Sequence, residues 1–530
     1  MSEAMRITDG GSDPRKSKED EVVDRISGLP DSLLLHILSF LPFRCAVRAS
    51  LILRPFRGLW RSLSSLSFEE CDFHACRRGR SGAGEFLNFV EHVLALHESP
   101  KIHTFRIELN FHASGFPNPE FDGRGVMSNR LDEWICFALK KKVKVLDVAL
   151  GGCARPMGAK PALHYRVPSA VLGSSNLVEL KLKVCNIESL GQIHLKSLQK
   201  LSMFDVNLSE EVIQNLVSGS PSLKKVSLQY CHGLQVLKFE RHPSLEELNV
   251  CNCVDLEKVD LASSGIKILA VYVGYPLSKI ICPNVMTLEL DGLQDDVNLD
   301  CGSSLNDVAL YVSGFGDFLL ERGVFLEYYE FKRLLKKLRS IAHFTLCNRS
   351  ILVFSIWELN NQTCPSFNWK SVTMTLNLAK WHLPGISYLL EACDFLETLT
   401  IYVYPSNPED IQRNTWDRAC NFDGRSYWHS VQGTFHCLAH HLKNVMVYAC
   451  VTEPYVIELI EFLLGNALVL EKMVISTKRN SKENRNGILY LADTSGLEKD
   501  YTSDMLLDFS QKVLSLPRIS PRAVVHMAVC

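Results

Sequence analysis

Eighteen cysteines and seventeen histidines in 530 residues are enough thiol and imidazole for metal binding, nucleophilic catalysis or redox chemistry. Spacing decides among these. A zinc site draws paired donors from one turn, as in Cys-x-x-Cys or His-Glu-x-x-His, and neither pattern occurs. "CNC" at 251–253 is the tightest cysteine pair. Cys185, Cys231 and Cys253, and later Cys450, each stand five residues after an apolar position of a recurring pattern. That placement predicts thiols stacked in a core at successive turns rather than a metal centre. His440 and His441 precede an apolar segment with no evident partner. No Gly-x-Ser-x-Gly elbow, Gly-Lys-Ser/Thr phosphate loop, dinucleotide glycine motif or kinase motif set is present. "RSGAGEF" at 80–86 reads as a flexible loop and "CRRGR" at 76–80 as a solvated basic one. These residues therefore predict no catalytic residue, no cofactor and no metal.

What remains is an architecture for binding. With 46% hydrophobic and 22% charged residues the chain can bury large cores, and a net charge of −2 supplies no basic field for nucleic acid. The polar N-terminus, "MSEAMRITDGGSDPRKSKEDEVVD", has no signal-peptide core, and no segment is long and apolar enough for a membrane span. The expectation is a cytoplasmic or nuclear protein whose cysteines are reduced. Residues 1–21 read as a disordered tail.

The densest apolar segment is "LLLHILSFL", Leu33 to Leu41, in which seven of nine residues are large and apolar. Pro30 and Pro42 bracket it as helix start and stop, with Asp31 and Ser32 suited to the positive end of the helix dipole. Leu34, Ile37, Leu38 and Leu41 form one face, but Leu33, Leu35 and Phe40 lie off it. A helix apolar nearly all round is buried on more than one side. A second helical stretch follows, and Pro55 divides it in two. At "DRISGLPDSLLLHILSFLPFRCAVRASLILRPFRGLW" the chain resembles the plant-type F-box. The resemblance implies that residues 22–68 dock a Skp-type adaptor and, through it, a cullin–RING ubiquitin ligase. It places Leu29, Pro30, Leu34, Ile37, Leu38, Leu41, Pro42, Val47 and Trp60 in adaptor binding. Cys45 and the Pro55-Phe56 pair depart from the family pattern. The alternative is therefore a repeat scaffold with a degenerate F-box and no ligase role.

The remainder repeats. "LVELKL", "LQKLSM", "LKKVSL", "LEELNV", "IKILAV", "VMTLEL" and "LNDVAL" align on Leu-x-x-Leu-x-Leu. Their middle residues, Leu180, Leu201, Val226, Leu248, Leu269, Leu288 and Val308, are 21, 25, 22, 21, 19 and 20 residues apart, the period of leucine-rich repeats. Each repeat supplies one strand, and stacking builds a parallel sheet along a solenoid. Helices link this to the front module over 69–98, and the repeats extend over 99–415. Weaker strands recur at "SVTMTLNL", "LETLTIYV", "LKNVMVYA" and "LEKMVIS", after a helical insertion at "FLEYYEFKRLLKKLRSI". The segment "YWHSVQGTFHCLAHHLKNVMVYACVTEPYVIELIEFLLGNALVLEKMVIS" resembles the FBD domain, placing an FBD-type strand–helix–strand cap and tail in 416–530. The predicted fold class is α/β: a small helical F-box module, a leucine-rich-repeat solenoid with a parallel sheet, and that cap.

In each repeat strand the residue after the last apolar position faces the concave side, and Phe204, Tyr272, Tyr311, Tyr402 and Tyr448 stand there. Lys183, Gln229 and Asp291 fill the same column elsewhere. Aromatic side chains presented at one strand position suit a protein interface, so the column is the candidate substrate-binding surface.

Overall fold

The computed structural model describes residues 26–74, 83–109, 126–151, 165–187, 193–240, 242–272, 277–291, 297–312, 324–363, 365–404, 424, 427–431, 433–449, 451, 453, 455–477 and 501–528. The tail 1–21, the basic run 76–80 and Cys450 lie outside them. One sheet of sixteen parallel strands dominates, with the strands in strict chain order from Ser65–Glu69 to Val524–Ala528. Neighbouring strands pair in register throughout. The seven middle residues of the repeats are direct partners in sequence, Leu180 beside Leu201, then Val226, Leu248, Leu269, Leu288 and Val308. The same row extends backward through Leu146 and Phe105 to Leu66, and forward through Phe344, Val372, Leu399, Val445 and Met473 to Val525. All but Val525 are buried. A leucine-rich-repeat solenoid with helices at its front and an FBD segment near its end is the architecture observed.

Repeat length dictates how the chain returns on the far side of the sheet. Where successive register residues are 19–22 apart, from Val226 to Val308, the return is a short strand. The four strands Val236–Lys238, Lys258–Asp260, Lys279–Cys282 and Asn298–Cys301 form a second parallel sheet. Where the interval reaches 25 or more, as across Glu210–Ser218, Asn348–Leu359, Leu383–Ala392 and Tyr455–Asn466, a helix fits instead. A helix advances about 1.5 Å per residue against about 3.3 Å for a strand, so it needs more chain to cover the same layer.

The predicted thiol column is present at the strand exits. Val184, Asp205, Tyr230 and Asn252 have φ values of 57°, 52°, 52° and 50°, a left-handed turn that redirects the next side chain inward. Each of their amides still continues the ladder, Val184 donating to the Phe204 carbonyl at 2.9 Å and Tyr230 to Cys251 at 2.7 Å. Cys185, Cys231 and Cys253 follow three of these turns, are buried, and turn their thiols onto strand carbonyls: Cys185 onto Lys183 at 3.3 Å, Cys231 onto Gln229 at 3.6 Å, Cys253 onto Leu228 at 3.7 Å. Burial pushes the Cys185 and Cys231 thiols well above the ordinary range.

The front module shares this core rather than standing apart. Helix α1 (Asp31–Ser39) and helix α2 (Phe43–Ile52) are followed by two 3-10 turns, Arg54–Phe56 and Leu59–Ser62, where the sequence predicts a second short helix after Pro55. Pro55 lies in the first turn of the first of these, because it lacks the N–H that would continue α2. Phe43 packs on Phe68 of the first strand at 5.4 Å and on Phe89 at 6.4 Å, and Phe68 meets Phe105 at 5.8 Å. A boundary at residue 68 thus falls inside the strand Ser65–Glu69. Ala83–Phe86, predicted as loop, begin the helix Ala83–Leu96, whose Phe86 and Val90 are buried, so tertiary packing overrides the local glycines.

Between the helices Asn348–Leu359 and Leu383–Ala392 the contact is close enough that a Cβ on Gly385 would lie 2.1 Å from the Ile351 carbonyl oxygen. Nearby His382 is only 3% exposed, and burial holds its pKa down at about 4. The Ala379 amide donates to its Nδ1 at 3.0 Å. The folded value lies below the ordinary 6.5, so the stability contributed by the neutral ring is present above that pH and is lost as pH falls toward 4. Urea unfolding should show a loss on the order of 2 kcal/mol over that window, and His382→Gln should flatten it.

Candidate functional site

Two surfaces were expected to bind, and the structure divides their residues between inside and outside. In the front module the carbonyls of Pro30 and Pro42 accept the first helical bonds, from Leu34 at 3.1 Å and Ala46 at 3.0 Å, so each proline sets a helix entry. Both proline rings are exposed, and Leu29 is half-buried against the core. Leu34, Leu38, Val47 and Trp60, expected to bind the adaptor, are instead buried in the module's own core. They anchor the face rather than form it. Ile37 and Leu41 are exposed as expected.

Four residues of the outward stripe, Leu33, Ile37, Phe40 and Leu41, recur at i, i+4, i+7 and i+8, with Phe40 74% exposed. A second exposed group was missed by the sequence reading: Leu51 at 72%, Ile52 at 77%, and Leu53. The signal was available. Phe43, Ala46, Val47 and Ser50 take the i, i+3, i+4, i+7 face of α2 and are buried, which leaves Leu51 and Ile52 to face outward. With Ile26, eight of the seventeen large apolar side chains exposed among the described residues fall within residues 26–53. A soluble monomer rarely leaves so many large apolar side chains together in water, which makes this the candidate interaction face. Of the departures from the F-box pattern, Phe56 is buried, Pro55 is half-buried and Cys45 is exposed on α2.

On the sheet's open face the predicted column is real. Lys183, Phe204, Gln229, Cys251, Tyr272, Asp291 and Tyr311 are successive register partners, and Tyr402 is the partner of Tyr448. Tyr272 departs from expectation: it is 6% exposed, donates its hydroxyl to the Glu289 carboxylate, and stacks on Tyr311 at 6.5 Å. That ring folds over its own strands because a carboxylate partner and two small neighbours, Cys251 and Ala270, receive it. Phe204, Tyr311, Tyr402 and Tyr448 are half-buried, each presenting part of its ring. Tyr402 and Tyr448 stack at 4.4 Å with their planes 5° apart. Phe204 lies 5.0 Å from Tyr230, a neighbour the pattern did not single out, and 5.1 Å from the Lys183 ammonium. Burial and the Glu289 and Asp291 carboxylates push the Tyr311 phenol well up, so it is a neutral donor at physiological pH.

If the open face holds a target protein, replacing Phe204 and Tyr402 by Ala weakens its capture by about tenfold or more while leaving the fold intact, since neither ring belongs to the buried register row. A captured-protein titration against both variants measures this.

Among the described residues no helix is long and apolar enough to cross a membrane.

Comparison with known proteins agrees with this geometry. Residues 98–316 match the family model described as "At1g61320/AtMIF1, LRR domain", and residues 432–475 match the FBD model. The chain is similar to "Putative F-box/LRR-repeat protein At3g18150" of Arabidopsis thaliana, 25% identical over 465 residues, covering 87% of this chain and 88% of the relative. It is likewise similar to "Putative F-box/FBD/LRR-repeat protein At4g03220" of the same plant, 24% identical over 484 residues, covering 86% and 89%. A shorter match, 30% identical over 213 residues and 39% of each chain, is to "Putative F-box/LRR-repeat protein At4g00320". These relatives carry names of F-box proteins, which points to a role in protein interaction. With the matched FBD unit built as strand Asn444–Tyr448, helix Tyr455–Asn466 and strand Lys472–Ser476 behind an in-register solenoid, the chain carries a leucine-rich-repeat domain and an FBD domain and is similar over most of its length to plant proteins named for the F-box, the FBD and leucine-rich repeats.

Proposed function

We propose that the chain is the substrate-receptor subunit of a Skp–cullin–F-box ubiquitin ligase, acting in the cytosol or nucleus. The front module docks a Skp-type adaptor through its outward apolar face, and the open face of the solenoid holds the protein to be ubiquitinated. The receptor performs no bond chemistry. It raises the effective concentration of a target lysine near the charged conjugating enzyme by holding both ends on one body. The observation that carries this reading is the concentration of exposed apolar residues in 26–53, where burying each such side chain is worth about 1.5–3 kcal/mol. The shared core from Phe43 through Phe68 to Phe105 supports it further, because a rigid connection preserves the distance between adaptor and substrate.

The other reading, a scaffold with a degenerate F-box, rests on Cys45 and Pro55-Phe56. Burial of Phe56 makes that change one of the module's interior rather than its docking face. The test is copurification of the full chain with a Skp-type adaptor and a cullin. Retention that depends on the exposed apolar residues supports the receptor; a folded chain that retains neither protein supports the scaffold.

A further inference from the structure

We propose that His436, His440 and His441 form a binding site for a divalent transition-metal ion, of the zinc class, on the surface of the FBD unit. This goes beyond the ligase reading and does not depend on it. The short helix His436–His440 places its first and last residues four apart on one face, with ring centroids 4.7 Å apart. His441, the next residue, brings a third ring to 5.5 Å from His436 and 6.4 Å from His440. His436 and His440 are exposed and His441 is half-buried, so an ion in solvent reaches all three. Imidazole nitrogen is a preferred donor for zinc and copper.

Two further features fit an ion. The Nδ1 of His436 lies 3.4 Å from the carbonyl oxygen of Asp394. A proton held there leaves Nε2 as the lone-pair nitrogen, the arrangement in which an outer partner orients a metal-binding imidazole. His436 also stands at the edge of a cavity of about 440 Å³ lined by the carboxylates Glu358, Glu391 and Asp394, together with Tyr427. Burial and the neighbouring Glu391 charge raise the Glu358 pKa. A concave wall with three carboxylates concentrates cations at its rim.

Coordination requires the rings to converge. Zinc–nitrogen bonds of about 2.0–2.1 Å place tetrahedral donors roughly 3.3 Å apart. As they stand, the three imidazoles hold their nitrogens further apart than a bound ion requires, so binding must rotate the exposed rings of His436 and His440 about their side-chain bonds. His441 must turn away from Phe395, whose ring lies 5.4 Å from its own. Water completes the fourth position.

The test uses the full chain, stripped with a chelator and titrated with Zn2+, then with Co2+ as a spectroscopic probe. One equivalent should bind, raise the melting temperature by mass action, and give a cobalt spectrum without thiolate charge-transfer bands. His436→Ala and His440→Ala should each weaken binding by at least about tenfold, with melting temperatures in chelator unchanged. The competing cluster is Glu69, Cys71 and Asp72, whose ligand atoms lie within 4.8 Å of one another. Cys71→Ser should leave the site intact. The proposal is overturned if no equivalent binds, if binding survives both histidine variants, or if Cys71→Ser abolishes it.

Discussion

Replacing Leu51 and Ile52 together with Asp abolishes capture of a Skp-type adaptor, weakening it at least about 100-fold, and lowers the melting temperature only slightly, through two carboxylates at the C-terminal end of α2. Both side chains are more than 70% exposed, so the fold loses no core contact. In the complex each would bury an apolar side chain worth about 1.5–3 kcal/mol. The variant loses that burial and brings two carboxylates to an interface that must desolvate them, whereas 100-fold requires only about 2.7 kcal/mol. Calorimetric titration of adaptor into wild type and variant measures the difference. Leu38→Ala provides the contrast: buried beneath the same face, it should cost about 2–5 kcal/mol of stability, and binding should fall only as the module unfolds.

Trp369→Ala should be among the most destabilising single changes in the solenoid, about 3–5 kcal/mol. The indole is fully buried, stacked on Phe344 at 3.9 Å and on Phe367 at 4.1 Å, and donates Nε1–H to the Leu338 carbonyl at 2.9 Å. Truncation removes both stacks, opens a cavity and strands a buried carbonyl. In a repeat array stability is partly a nearest-neighbour sum. The loss should therefore be read as faster amide exchange in the strands His343–Cys347 and Ser371–Leu376, with the strands before Val308 little changed. Equal acceleration along the whole sheet would mean the array opens as a single unit.

Much of this was legible in the sequence, for a reason visible at particular residues. Between Leu180 and Val308 the register residues recur every 19–25 positions, and there the alignment identifies every strand of the large sheet, though not the short return strands on its far side. The next intervals, from Val308 to Phe344 and on to Val372 and Leu399, are 36, 28 and 27, and that from Leu399 to Val445 is 46. Helices inserted on the far side stretch the period while the strands stay in register. The strands at Val372, Leu399 and Val445 remain readable by their own apolar alternation, whereas His343–Cys347, just after the inserted helix, does not. The same stretching hid the strands Ser65–Glu69, Thr104–Leu109 and Val145–Leu150 at the front, where intervals between register residues are 34–41.

The binding surfaces were half legible. Period alone identified the concave column, but not which rings lie down: Tyr272 finds Glu289 only because a neighbouring strand brings that carboxylate alongside. In α1, apolar on nearly every side, hydrophobicity could not separate core from docking face. The two 3-10 turns and α2, against which α1 packs, decide that by drawing Leu34 and Leu38 inward. His440 and His441 had no visible partner because His436 becomes one only when the intervening residues wind into a helical turn.

The central claim is that the front module presents an outward apolar face to an adaptor while the sheet behind it stays free for a target. Hydrogen exchange of the full chain, with and without a saturating Skp-type adaptor, reads both halves at once. Protection should rise across 31–41 and 49–53 and remain unchanged in the strands from Lys200–Phe204 to Asp307–Tyr311. Protection on those strands, or no change in either region at saturating adaptor, would contradict it.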